Sequence, residues 1–134
     1  MNVNKVASLT GLPAKTIRYY EDIGLVSPQR SDNGYRVFAE RDVRRLQFVG
    51  RARSLGFSLD DCRLLLGLWD DRERASSEVR ALARQHIVEI DRKLAELRDM
   101  RRTLSELVQS CHGDDRPDCP IIETLSGAGT GAEE

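Results

Sequence analysis

Two thiols near one end of the chain carry the strongest chemical signal. Cys111 and Cys119 bracket the run Cys111-His112-Gly113-Asp114-Asp115-Arg116-Pro117-Asp118-Cys119-Pro120, a stretch of Gly, Asp and Pro where core packing asks for no sulfur. Thiolates prefer soft ions, so the pair suits Cu(I), Ag(I), Au(I) or Hg(II), whereas a closed structural zinc site wants four ligands. Two soft ligands on one loop can approach an ion from opposite sides, and a linear, two-coordinate monovalent ion is the simplest occupant. Pro120 suits the first position of a short helix over 120–125, which makes Cys119 its N-cap, where unpaired amides and the helix dipole favour a thiolate. Ile121, Ile122 and Leu125 are expected to cover the loop. His112 offers a third ligand that would admit zinc together with Asp114 or Asp118, but a ring adjacent to Cys111 is expected to point outward or to bond the loop backbone. Arg116 either offsets negative charge in the loop or is solvated.

The third cysteine, Cys62, sits in Asp61-Cys62-Arg63-Leu64-Leu65-Leu66, where a small buried thiol is the expected reading. Two loop cysteines and a distant Cys62 do not supply the four thiolates of an iron–sulfur cluster. At 134 residues the chain holds one modest core, or a small domain with a long extension. It has no run of 18 apolar residues and no basic-then-apolar secretory layout, so a soluble, cytoplasmic protein is expected. The net charge of −1 hides an asymmetry: residues 1–55 carry ten Lys/Arg against five Asp/Glu, and the remainder eleven against seventeen. A basic head joined to an acidic module suggests a nucleic-acid partner for the head. No Ser/His/Asp set, phosphate loop or pair of catalytic carboxylates stands in a pocket-like context, so an enzyme is not expected.

Several elements must position these groups. Val3, Val6, Ala7 and Leu9 begin a short amphipathic helix, Thr10-Gly11-Leu12-Pro13 forms a turn, and a second helix runs from Ala14 to Ile23 and ends at Gly24. This is a helix-turn-helix pattern with the second helix as reader. Lys15, Arg18, Tyr19 and Tyr20 give that helix positive charge and hydroxyl-bearing rings, suited to phosphates and base edges. Arg30, Tyr35 and Arg36 repeat the chemistry around Asn33-Gly34, a hairpin signal that reads as a wing. Helices over 39–55 and 59–69 follow, separated by Gly56-Phe57-Ser58 with Ser58 as N-cap.

From Leu68 to His112 there is neither Gly nor Pro, and Ile87, Ile90, Leu94, Leu97 and Leu104 recur at coiled-coil spacing. A single helix over 76–107 would be a rod of roughly 48 Å. Its apolar seam calls for a partner helix and so for a homodimer; the alternative is a helix folded back on its own head. His86 within it is expected to be packed or at an interface rather than a ligand. Residues 126–134, rich in Gly, Ala and Thr, are expected to be disordered.

Ile17-Arg18-Tyr19-Tyr20-Glu21, then Gly24-Leu25-Val26, then Arg30-Ser31-Asp32-Asn33-Gly34-Tyr35-Arg36 resemble the DNA-binding head of MerR-family transcriptional regulators. Ala52-Arg53-Ser54-Leu55-Gly56-Phe57-Ser58-Leu59 resembles that family's next block, and the likeness extends over residues 1–126. It implies a mainly α fold in four parts: a winged helix-turn-helix DNA-binding domain at 1–68, a linker and long coiled-coil dimerisation helix at 69–109, a metal-binding loop and short helix at 110–125, and a tail at 126–134. The family's phosphate and groove contacts carry over to Lys15, Arg18, Tyr20, Arg30, Tyr35, Arg36 and Arg53. The resemblance also implies a homodimer on a pseudo-palindromic promoter whose polymerase-recognition elements are too far apart, with RNA polymerase admitted when the DNA is bent and untwisted. DNA deformation of this kind stores specificity as energy.

In family members that respond to divalent ions, the long helix begins with a cysteine that reaches across the dimer as an extra ligand. Ser76 stands there in this chain, a neutral hydroxyl that argues for selectivity toward a +1 ion. The block from Cys111 to Ile121 is similar to the loop of the copper-responsive CueR/HmrR branch. The resemblance therefore implies an activator of copper-efflux or tolerance promoters responding to Cu(I), with Ag(I) or Au(I) as substitutes. Two alternatives stay open: the same kind of regulator sensing Zn(II), Hg(II) or thiol oxidation, and a cytosolic copper-binding carrier, against which the basic head argues.

Overall fold

Short polar caps and glycines divide the chain into its elements, which the computed structural model describes over residues 1–127. In chain order these are α1 Val3–Thr10, α2 Ala14–Asp22, β1 Gln29–Arg30, β2 Arg36–Val37, α3 Glu40–Ser54, α4 Leu59–Asp70, α5 Ser76–Ser110 and α6 Pro120–Ser126. Asn2 caps α1 by accepting from the Lys5 amide at 2.9 Å. Gly11 ends α1 with φ of 75°, a left-handed conformation open to glycine at little cost. Ser58 caps α4 by accepting from the Asp61 amide at 3.1 Å, and the buried Asp42 carboxylate accepts from the Ala39 amide at 2.8 Å at the start of α3.

Two compact units arise, one of residues 1–82 and one beginning at Ala83. In the first, α1 packs on α2 and α3, and α3 packs on α4. The core is built from Val6, Ile17, Leu25, Val26, Phe38, Leu46, Val49, Cys62 and Leu66. Leu46 is fully buried at the middle of α3, and truncating such a residue to Ala costs about 2–5 kcal/mol. Side chains fasten the helices further: Arg63 donates to the Ile23 carbonyl at 2.6 Å, Arg45 pairs with Asp70 at 2.9 Å, and Phe48 stacks on Trp69 with centroids 4.6 Å apart.

The expected wing is present, and its hydrogen bonds define the turn. Gln29 pairs with Val37 and Arg30 with Arg36 in an antiparallel register. The Gly34 amide donates to Ser31 at 2.8 Å and the Ser31 amide to Tyr35 at 2.8 Å. Gly34 alone is left-handed at φ 83°, whereas a two-residue Asn-Gly turn would ask the same of Asn33. The loop is therefore Asp32-Asn33-Gly34, the three-residue pattern that places glycine last.

In the second unit the long helix is uninterrupted. Ile87, Ile90, Leu94, Leu97 and Leu104, with Val88, Met100 and Val108, are exposed along it, and His86 is buried. The full α5, at 35 residues, is about 52 Å long and runs three residues past the expected end. Ser126, expected to begin a disordered tail, is the last residue of α6, which Gly127 caps; the rest of that expectation, residues 128–134, lies outside the described residues. Among the described residues no helix is long and apolar enough to cross a membrane.

Candidate nucleic-acid interface and thiol loop

The helical period of α2 sorts its side chains. Ile17 and Tyr20, three residues apart, face the core, which leaves Lys15, Arg18 and Tyr19 exposed. Tyr20 is only 7% exposed, so its ring is a packing element and any contact with a phosphate falls to its hydroxyl. On the wing, Tyr35 is 73% exposed at the end of the turn. Arg30 and Arg36 are cross-strand partners, a repulsive arrangement that Glu21 relieves by accepting from both. A groove of about 380 Å³ gathers Arg18, Arg30, Tyr35 and Arg36 beside Asn2 and Val3. Lys15 lies on the same reader helix but outside that lining. Arg53 is exposed at the end of α3, where it donates to the Phe57 carbonyl at 2.7 Å.

The structure thus brings together four of the seven residues expected to touch DNA, while Lys15 and Tyr20 on α2 and Arg53 at the end of α3 lie outside that lining. Sequence reasoning missed Glu21 as a functional residue. Its partners lie nine and fifteen residues away, beyond any local period, and the neighbouring Asp22 gave no reason to single it out.

In the second unit, the loop after α5 returns on itself so that the Cys111 and Cys119 sulfurs stand 3.6 Å apart, both partly exposed. Cys119 is the residue before α6, with Pro120 at its first turn, as the Cys-Pro pair predicts. The Ile122 amide of that turn, then the Cys111 thiol, hold the Cys119 thiol below its ordinary range.

The rest of the loop is charged and paired within itself. Arg116 bonds Asp114 at 2.8 Å, and the Arg116 guanidinium followed by its backbone amide holds the Asp114 carboxyl below the usual carboxylate range. His112 is exposed and faces Asp118 at 3.6 Å rather than bonding the backbone. Among the described residues no group of three or more His, Cys, Asp and Glu is placed to hold one ion. Two sulfurs 3.6 Å apart can both reach one soft ion at about 2.3 Å, the zinc–sulfur bond length, but they then subtend an angle of about 100° at it, so the expected linear two-coordinate arrangement requires the pair to open. Ile122 and Leu125 are exposed within the chain and do not seal the loop there. Ser76 is exposed as the first residue of α5. Cys62 is fully buried on the core face of α4, as expected, and burial pushes its thiol up, offset in part by Arg53.

Comparison with known proteins extends these findings. A family model described as "MerR HTH family regulatory protein" matches residues 1–68, and one described as "MerR, DNA binding" matches residues 43–107. The HTH-type transcriptional regulator HmrR of Rhizobium leguminosarum bv. viciae is 56% identical over 126 residues, covering 94% of this chain and 98% of that protein. The heavy metal-dependent transcription regulator 2 of Rhizobium meliloti (strain 1021) is 52% identical over 127 residues, covering 94% of this chain and 86% of that protein. Among solved structures, a transcription regulator from Ralstonia metallidurans CH34 in complex with lead(II) superposes with a TM-score of 0.81 at 34% identity, covering 93% of this chain and 98% of that one.

Proposed function

This chain belongs to the MerR family of helix-turn-helix regulatory proteins, and from that premise we propose that it is a cytoplasmic, homodimeric transcriptional activator whose signal is a soft monovalent metal ion. Lys15, Arg18, Arg30, Tyr35, Arg36 and Arg53, with the Tyr20 hydroxyl, bind promoter DNA. Cys111 and Cys119 hold Cu(I), with Ag(I) or Au(I) as substitutes, and occupancy distorts the bound promoter into a form that RNA polymerase can open. The target promoters are those of copper efflux and tolerance.

The single observation that carries the reading is the thiol pair, 3.6 Å apart on a polar loop with one sulfur at a helix start. Two thiolates neutralise a monovalent ion and leave one net negative charge, whereas the neutral Ser76 adds nothing toward a divalent one. The relative named as heavy metal-dependent supports a metal signal. The lead(II) complex of a relative favours a second reading, a divalent inducer whose further ligands come from a partner chain.

In vitro transcription at buffered Cu(I), Ag(I), Zn(II), Hg(II) and Pb(II) separates the two. The expected result is activation by Cu(I) and Ag(I) alone, lost in Cys111→Ser and Cys119→Ser with operator affinity unchanged. Ser76→Cys should extend the response to at least one divalent ion. Activation of the native chain by Pb(II) or Zn(II) at Cu(I)-free buffer would replace the first reading with the second, and a response surviving both Cys→Ser changes would remove the loop as the site.

A further inference from the structure

Glu21 is an acid held among the groups proposed to meet DNA, a polyanion with about one negative charge per 1.7 Å of helix axis. Simple electrostatics would remove it. Its geometry supplies the reason to keep it. The carboxylate, 15% exposed, accepts from Arg30 Nη2 at 2.9 Å with one oxygen and from Arg36 Nε with the other. Arg30 Nη1 meanwhile donates to the Gly34 carbonyl at 3.0 Å, so the same guanidinium ties the turn of the wing to the last turn of α2. Arg36 is gripped through its Nε.

Each strand of the wing is only two residues long, and a hairpin that short is not stable in isolation. The like charges of Arg30 and Arg36 lie opposite one another and would splay it further. We infer that Glu21 is a positioning residue for sequence-specific recognition: it fastens the wing to the reader helix and fixes both guanidinium planes, so that a chain without it holds the same phosphates in no fixed register. The inference rests on the DNA-binding reading above.

The test uses the full-length chain and two duplexes of equal length, one selected by the native protein from a random-sequence library and one scrambled. Glu21→Gln should weaken binding to the selected duplex by at least about tenfold while leaving the scrambled duplex unchanged or bound up to about threefold more tightly, because a repelling charge is gone. In an Arg30→Met/Arg36→Met background the same change should alter selected-duplex affinity by less than about twofold, since the groups it positions are absent. Equal changes on both duplexes, or an undiminished tenfold loss in the double-Met background, would overturn the inference. If thermal unfolding shows that Glu21→Gln does not fold at the assay temperature, Glu21→Asp, which keeps the charge but shortens the reach, is read by the same ratio. A native chain that selects no duplex at all would instead overturn the DNA-binding reading.

Discussion

The three cysteines show how environment assigns different chemistry to one side chain. Cys111 and Cys119 lie partly exposed in a charged loop, and Cys119 is held toward the thiolate by helix amides. Cys62 is fully buried, and its pKa is pushed up from an ordinary 9.0 chiefly by desolvation. Native-state alkylation with iodoacetamide, read by mass spectrometry, should therefore add two labels and reach Cys62 at least about tenfold more slowly, with the third label appearing in denaturant. The sign of the pH effect follows from the same shift. Because the folded value lies above the unfolded one, this thiol's contribution to stability is full below the unfolded value and is lost as pH rises through the folded one. Denaturant unfolding at increasing alkaline pH should show a steeper loss for the native chain than for Cys62→Ala; equal slopes would remove Cys62 as a cause.

At the scale of elements, the ends of helices are local events, and Ser58 is the clearest. Its hydroxyl accepts from Asp61 at the start of α4, with Asp60 and Asp61 in the first turn, so Ser58→Ala should cost about 1 kcal/mol in urea unfolding without moving any core residue. The same locality explains what was legible beforehand. The starts of α2, α4 and α5, and Cys119 at the start of α6, follow from Pro, Ser and composition within a few residues of each end. The core face of α2 was written in the three-residue spacing of Ile17 and Tyr20, yet Tyr20 also carried a hydroxyl that suggested a surface contact. The wing was legible from Asn33-Gly34, but its loop length was not, because Asn-Gly serves two loop lengths and only the hydrogen bonds from Ser31 and Gly34 choose between them. Long-range features left no trace in spacing: Glu21 between Arg30 and Arg36, Arg63 on the Ile23 carbonyl, and the 3.6 Å approach of the two loop sulfurs. The composition of that loop raised the expectation of a soft-ion site, while the outward exposure of Ile122 and Leu125 had no signal in a short apolar run.

At the scale of the whole molecule, the exposed apolar residues of α5 are the largest unmet demand of the chain. A seam of Ile90, Leu94, Leu97 and Leu104 on a helix of 35 residues would be stabilised by a second copy through knobs-into-holes packing, the arrangement the proposed homodimer uses. Leu97→Glu should lower the mass measured by light scattering from twice to once the 15.1 kDa of a single chain at micromolar concentration, and should weaken operator binding by at least about tenfold through loss of the second half-site. An unchanged mass would place the dimer contact elsewhere. One further consequence follows from α5 belonging to both compact units. On the proposed function, the reading and sensing ends share a continuous helix and cannot be exchanged at an arbitrary splice point. Recombination between relatives is viable only where the crossover conserves the heptad count, since a single inserted residue turns every downstream side chain by about 100° while seven leave the seam in line. On the proposed function, in-register exchanges and changes within the terminal loop itself are the routes that leave this helix intact while altering the signal.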